Sequence, residues 1–228
     1  MGKVIVTCDS TCDLTPELYQ KYDIHVAPLY IRVGDGEYRD GVTIDTETLF
    51  QKVQETGELP KTAAVSVDDY VNLWKPFVEQ GCEVVHINIS SHFSACYQNA
   101  CAAAEELGHV YPVDSLNLSS GSGHLAIEAA LLAQEGRSGA EIQAILDEKK
   151  QRLNVSFVLD TMEYLAKGGR CSSVVAFAAG LLKLRLCIEV KDGKMDVHRK
   201  YRGKMNAVLC EYVRERLKAV SYTHLTLP

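Results

Sequence analysis

The residues best placed to do chemistry lie in one run, Ile89-Ser90-Ser91-His92-Phe93-Ser94-Ala95-Cys96-Tyr97-Gln98-Asn99-Ala100. An alternating apolar segment, Glu83 to Ile89, reads as a strand, and the alanine-rich segment Ala95 to Leu107 reads as a helix. A serine-rich turn joins them, with Ser94 at the expected N-cap. The first turn of a helix leaves backbone N–H groups unpaired, and its aligned peptide dipoles make that end partly positive. Hydroxyls beside free N–H groups suit an anion such as a carboxylate or phosphate. Taken alone, the stretch reads first as a helix with a serine cap and only second as an anion seat.

Two more strand ends carry similar residues. The apolar strand Lys3 to Cys8 runs into Asp9-Ser10-Thr11-Cys12-Asp13-Leu14, and the strand Val110 to Val113 runs into the polar loop Asp114 to Ser120. Helices are expected between these strands. Thr15-Pro16-Glu17 opens one, with Thr as cap and Pro at its first position. Asp45 opens another that Gly57 ends, Ser66 caps a helix from Val67 to Gln80, and Ser138 with Glu141 forms a capping box for a helix to about Leu153. A helix from Ser120 to Glu135 carries Gly121 and Gly123 near its start. Ile24 to Val33 reads as one strand, and Leu59 to Ala63 as a linker. Strands alternating with helices argue for a mostly parallel sheet flanked by helices, with ligands outside the C-terminal strand ends. All three hydroxyl-rich loops would occupy that edge.

The pattern changes near residue 154. Val155 to Leu159 reads as a strand, Asp160-Thr161-Met162-Glu163 as a capping box, Val174 to Leu182 as helical, and Met205 to Val220 as an amphipathic helix. Arg185 to Val190 and Lys194 to Tyr201 form a hairpin around Asp192-Gly193. The expected division is therefore an N-terminal α/β domain at 1–153 and an α+β domain at 154–220, with 221–228 a non-native tail and the native C-terminus missing.

Composition narrows the function. At 228 residues and 46% hydrophobic, the chain can bury one large or two small cores. A net charge of −6 disfavours general nucleic-acid binding. No apolar run is long enough to span a membrane, and no leader pattern precedes the first strand, so a cytoplasmic location is expected. The eight cysteines form no C-x-x-C pair or zinc spacing, and Cys8 and Cys12 are not expected to be redox-active. Asp9 and Asp114 could bind Mg²⁺ together, but loop capping is the simpler role. His86 reads as a core-edge histidine. Ser120-Gly121-Ser122-Gly123 is not a nucleophile elbow and reads as close helix packing ahead of phosphate cradling.

Several segments, in order, resemble the DegV family. Asp9-Ser10-Thr11-Cys12-Asp13-Leu14 is similar to its D-S-x-x-D-L, and Lys61-Thr62-Ala63-Ala64-Val65-Ser66 to its K-T-S-x-P-S, departing at Ala63 and Val65. The Ser90 to Ala100 run is similar to S-S-x-L-S-G-T-Y-Q-S-A. Val113-Asp114-Ser115 with Ser120 to Gly123 is similar to V-D-S followed by S-x-G-x-G. Thr161 to Arg170 is similar to T-L-E-Y-L-x-K-G-G-R, and Lys191 to Arg202 to the family's hairpin and its exit. The resemblance runs from about Val4 to Ala219. It implies an α/β fold of two domains with a long-chain fatty acid between them. It also implies a carrier, not an enzyme, that presents the fatty acid to a separate fatty acid kinase for phospholipid synthesis in bacteria. No cofactor or metal is implied, and neither nucleic acid nor stable membrane insertion.

Carried over residue by residue, the resemblance places the carboxylate on Thr62, Ser94 and the N–H of Ala95. The family has Gly where this chain has Ala95, and a head-group histidine in a later segment that finds no match here. Arg170 and Arg202 become candidate contacts for the kinase or a phosphate. They belong to a biased region, since residues 183–204 hold eight Lys or Arg against three Asp or Glu. The alternative is a stand-alone small-molecule hydrolase or transferase using the strand-end Ser/Thr loops. No Walker A or kinase signature occurs.

Overall fold

Thr7, Asp9, His86 and Asn88 are polar, yet they are buried on the two most buried strands. How they are accommodated explains much of the architecture. The computed structural model describes residues 2–177 and 184–218. In chain order the first elements are β1 (Val4–Asp9), α1 (Pro16–Tyr22), β2 (Ile24–Ala27), β3 (Tyr30–Val33), β4 (Gly36–Arg39), α2 (Thr46–Thr56) and β5 (Lys61–Ala63). They continue with α3 (Val67–Glu79), β6 (Glu83–Asn88), α4 (Cys96–Leu107), β7 (Val110–Asp114), α5 (Ser120–Gln134) and α6 (Gly139–Lys149). Then come β8 (Val155–Leu159), α7 (Glu163–Gly168), α8 (Ser172–Phe177), β9 (Leu184–Lys191), β10 (Lys194–Arg202) and α9 (Met205–Lys218).

The chain divides into two units. One comprises Met1–Val155 with Lys191–Lys194, the other Ser156–Val190 with Met195–Pro228. The first holds a parallel sheet in the order β2-β1-β6-β7. Side chains alternate across a strand. Val6, Cys8, Val85 and Ile87 therefore enter a core with Leu125, Ala126, Ile142 and Leu146 of α5 and α6. Ile5 and Val84 enter the opposite core with Tyr70 and Trp74 of α3 and Ala100 and Ala103 of α4. Helices thus cover both faces, as the alternating pattern requires.

The polar strand residues share the parity of Ile5 and Val84, and so face α3. Tyr70 and Trp74, one turn apart on α3, bring a hydroxyl and an indole N–H to meet them. Tyr70 OH donates to Asp9 Oδ1 at 2.6 Å, and Trp74 Nε1 donates to Thr7 Oγ1 at 3.1 Å. His86 bridges the two, with Nδ1 2.7 Å from Thr7 Oγ1 and Nε2 3.1 Å from Asp9 Oδ1. His86 is fully buried at the sheet's centre, which corrects its expected place at the core edge.

Three local expectations change. Pro28 has no N–H to donate, and the expected strand Ile24 to Val33 splits there. β2 joins the parallel sheet, whereas β3 joins an antiparallel sheet in the order β4-β3-β5. The expected linker Leu59 to Ala63 contains β5, an edge strand whose Thr62 lies opposite Ile31. The helix after Ser94 is capped by Ala95, without a side-chain cap bond. The caps at Asp45, Ser66 and Ser138 form as expected, the last two as capping boxes.

Asp69 also fastens the small sheet to α3. Arg39 Nη2 donates to Asp69 Oδ1 and to Tyr30 OH, each at 2.7 Å, and Tyr30 OH donates to Asp69 Oδ2 at 2.7 Å. Burial alone would raise the Asp69 carboxyl, but hydrogen bonds from Ser66, Arg39 and Tyr30 and the Arg39 charge hold it down at about 2. A depressed carboxyl contributes stability above its unfolded value of about 3.9 and loses it as pH falls toward 2. Asp69→Asn is therefore expected to cost about 1–2 kcal/mol at neutral pH, with the difference from wild type vanishing between about pH 4 and 2. Urea unfolding across that range checks it; a difference independent of pH contradicts it.

The second unit carries a sheet in the order β10-β9-β8. Asp192 and Gly193, both at positive φ, turn β9 into β10 as the Asp-Gly signal requires. α9 lays Val208 and Tyr212 against Cys187, Tyr201 and Val158. Leu209, Val213 and Leu217 form an exposed apolar stripe on the same helix. Asp160 does not cap α7; it pairs with Arg185 at 2.7 Å, and Met162 takes the cap position. The expected helix Val174 to Leu182 is seen as α8 up to Phe177; residues 178–182 of that expectation, 219–220 of the last helix and the tail 221–228 lie outside the described residues.

Candidate functional site

In the order β2-β1-β6-β7, the chain leaves β1 toward β2 and later returns to β1's other side as β6. The C-terminal ends of β1 and β6 are thus a topological switch point, where open α/β sheets bind ligands. The Asp9 and Ile89 loops both leave from it. Ser90 N donates to Asn117 O and Ser119 N to Thr11 O, both at 2.8 Å, so all three strand-end loops are knitted together by backbone bonds.

Carboxylates hold these loops from below. Asp9 is fully buried, and four donors meet it: Tyr70 OH and His86 Nε2 at Oδ1, Asn88 Nδ2 and the Ile89 N–H at Oδ2. Asp114 Oδ1 accepts from Ser91 N at 3.2 Å and from Leu116 N at 3.0 Å. Both acids cap loops, and with Asp9's acceptor positions filled neither oxygen points at a cation. Among the described residues no cluster of three metal-ligating side chains occurs.

Most hydroxyls at this edge are already engaged. Ser10 Oγ donates to Asp40 Oδ2 at 2.7 Å and accepts from Leu29 N, binding the small sheet to the switch point. Ser90 Oγ donates to Gly193 O at 2.8 Å and accepts from His92 N. Ser115 and Ser122 bond each other at 2.9 Å. Gly121 and Gly123 serve packing: a Cβ on Gly123 would lie 2.6 Å from Cys12 O, and one on Gly121 would strike the Asn117 side chain. Cys8 and Cys12 are buried in the α5–α6 core, where a hydrogen bond with Cys8 and then burial push the Cys12 thiol well up.

What remains open is the start of α4. Phe93 N and Ser94 N turn back onto Ser90 O, and Ser94 Oγ accepts from Cys96 N at 3.3 Å. Among the described residues nothing accepts from the N–H groups of Ala95, Tyr97 or Gln98. Asn99 Nδ2 donates to Val65 O at 2.7 Å, fastening the segment that follows Thr62 against α4. Thr62 itself is exposed on β5, and its hydroxyl bonds no other described residue. Ser94 is half-buried and Ala95 exposed. Thr62, Ser94 and Ala95 all lie in the first unit.

Arg170 and Arg202 lie in the second unit, both exposed. Arg170 Nη1 donates to Gly168 O at 2.7 Å. The basic excess around Arg202 is partly neutralised: Arg185 pairs with Asp160, and Arg199 with Glu215 at 2.8 Å. The Asp9–His86–Tyr70 network was absent from the sequence reading. Its signal was parity: Thr7 and Asp9, and His86 and Asn88, recur at period two inside apolar strands.

Helices on both faces of a parallel sheet, with free backbone donors at its switch point, define an α/β protein with a binding edge. The chain belongs to the DegV family: the family model, described as uncharacterised protein, DegV family, matches residues 3–225. It is 33% identical over 210 residues to a DegV domain-containing protein of Clostridium perfringens, covering 91% of this chain and 75% of that one. A solved DegV family protein from Thermus thermophilus, described for its fatty acid binding, superposes with a TM-score of 0.86 at 30% identity, covering 95% and 77% of the two chains. A stearic acid-binding protein from Eubacterium ventriosum superposes with a TM-score of 0.81 at 28% identity, covering 96% and 78%. Among the described residues no helix is long and apolar enough to cross a membrane.

Proposed function

We propose that this chain is a cytoplasmic carrier that binds one long-chain fatty acid and presents its carboxylate to a separate ATP-dependent fatty acid kinase. The carboxylate sits on the Thr62 and Ser94 hydroxyls and the Ala95 N–H. The observation that supports this reading is the open start of α4, where N–H groups beside Ser94 have no acceptor among the described residues. Fatty acid binding by relatives of the same fold supports a carboxylate as the anion. Burying a tail of about fifteen methylenes gains roughly 12 kcal/mol gross at about 0.8 per CH₂, before the costs of association. The head group adds about 1.5–3 kcal/mol per charge-assisted hydrogen bond, so the tail sets affinity and the head group sets orientation. In the kinase a carboxylate oxygen attacks the γ-phosphorus of ATP, ADP leaves, and the acyl phosphate enters phospholipid synthesis.

Titrating delipidated protein with palmitate and with hexadecanol tests this. Palmitate is expected to bind at least about tenfold more tightly, the worth of one charge-assisted bond. Equal affinity overturns the head-group assignment, and hydrolysis of an ester by the protein alone favours the enzyme reading.

Arg170 and Arg202 are placed on the kinase side. Arg170→Glu or Arg202→Glu is expected to slow kinase turnover about tenfold with lipid occupancy unchanged, since a like-charge contact acts on docking. Lost occupancy would assign these arginines to folding.

A further inference from the structure

Among the described residues, the Ser94 hydroxyl bonds a single residue. Its Oγ accepts from Cys96 N at 3.3 Å and donates to Cys96 Sγ at 3.1 Å. Cys96 is fully buried, in the core formed by Val65, Tyr70, Trp74 and Ala100, so its sulfur is a fixed point. Tyr70 packs in the same core, and its hydroxyl donates to Asp9. Within that core a polar chain runs from Tyr70 through Asp9, His86 and Thr7 to Trp74.

We propose that Cys96 is a positioning residue of the head-group seat: its sulfur holds the Ser94 hydroxyl in the empty protein and releases it to the carboxylate of an arriving fatty acid. This rests on Ser94 being a carboxylate ligand. Sulfur is a weak acceptor. It aims the hydroxyl without binding it strongly. An ionised carboxylate accepts the same proton in a shorter bond about twice as strong as a neutral one. The exchange runs toward the ligand. Burial first, and then the charge of Asp9, push the Cys96 thiol up, so no thiolate competes with the incoming anion.

The test is infrared difference spectroscopy of the S–H stretching band on adding palmitate to the delipidated full chain. The Cys96 band is identified by its loss in Cys96→Ser. On palmitate binding it is expected to shift, because the sulfur loses the Ser94 hydroxyl as a donor. In Ser94→Ala it is expected to lie at the shifted position already and to stay there. Palmitate affinity is expected to fall about fivefold in Cys96→Ala and less than about twofold in Cys96→Ser, whose oxygen can still aim the hydroxyl. If palmitate binds and Ser94→Ala weakens it while the Cys96 band stays still, the positioning role is overturned and the seat stands. If Ser94→Ala binds palmitate as wild type does, the seat itself fails and the positioning role fails with it.

Discussion

Asp9→Ala is expected to destabilise the protein by roughly 3–5 kcal/mol, the range for removing one member of a buried, hydrogen-bonded charged group. Four donors meet this carboxylate, and none of them reaches water in the folded state. Removing it strands Tyr70 OH, His86 Nε2 and the Ile89 N–H together, each a desolvated donor without an acceptor. Asp9→Asn keeps the volume but replaces one acceptor oxygen by a donor facing other donors, so it is expected to recover little. Urea unfolding of the two variants measures this. A loss below about 1 kcal/mol for Asp9→Ala would show that water or a rearranged His86 fills the gap, and the network would not be the anchor of the β1–β6 edge. Because Asp9 accepts the Ile89 N–H, part of its effect should appear as mobility of the turn before α4. Amide hydrogen exchange at residues 89–95 is expected to quicken more than exchange in α6.

The second large effect is functional. The double variant Thr62→Ala with Ser94→Ala is expected to lower kinase-dependent phosphorylation of bound fatty acid by about 10²–10⁴-fold. Two charge-assisted hydrogen bonds at about 1.5–3 kcal/mol each set that range. Lipid occupancy should fall far less, because the tail supplies most of the binding free energy. Both hydroxyls make few other bonds among the described residues: the Thr62 hydroxyl makes none, and Ser94 Oγ bonds Cys96 alone. Folding should therefore be nearly unaffected. Single-turnover phosphorylation with a fixed amount of loaded carrier separates the two quantities. Wild-type rates in the double variant would remove Thr62 and Ser94 from the head-group site.

The sequence made local features legible where one short segment decides them. The caps at Asp45, Ser66 and Ser138 depend on residues three apart, and the Asp192-Gly193 turn on two positive φ values. The parallel sheet was legible because its strands are rich in apolar residues and alternate with helices. What escaped depends on distant partners. β5 is three residues long and exists because β3, thirty residues earlier, offers it an edge. Asp160 has a capping spacing, but Arg185 takes its carboxylate. Ser10 reads as a ligand-edge hydroxyl until Asp40 is brought beside it. At the site, Ser94 was legible as a residue of the α4 start. Its displacement by Ala95 from the cap position was not, since backbone dihedrals decide that. The DegV motifs named Thr62 and Ala95. Cys96 stood in plain sight beside Ser94, but its burial and its bond to the serine hydroxyl appear only once α3 and α4 pack together.

The carrier reading is tested most directly by native mass spectrometry of the purified chain. The expected spectrum shows protein carrying one non-covalent mass of a long-chain fatty acid, released on unfolding and recovered by extraction. A protein at its bare polypeptide mass that takes up no added palmitate, and that turns over an ester or phosphate substrate on its own, would contradict it.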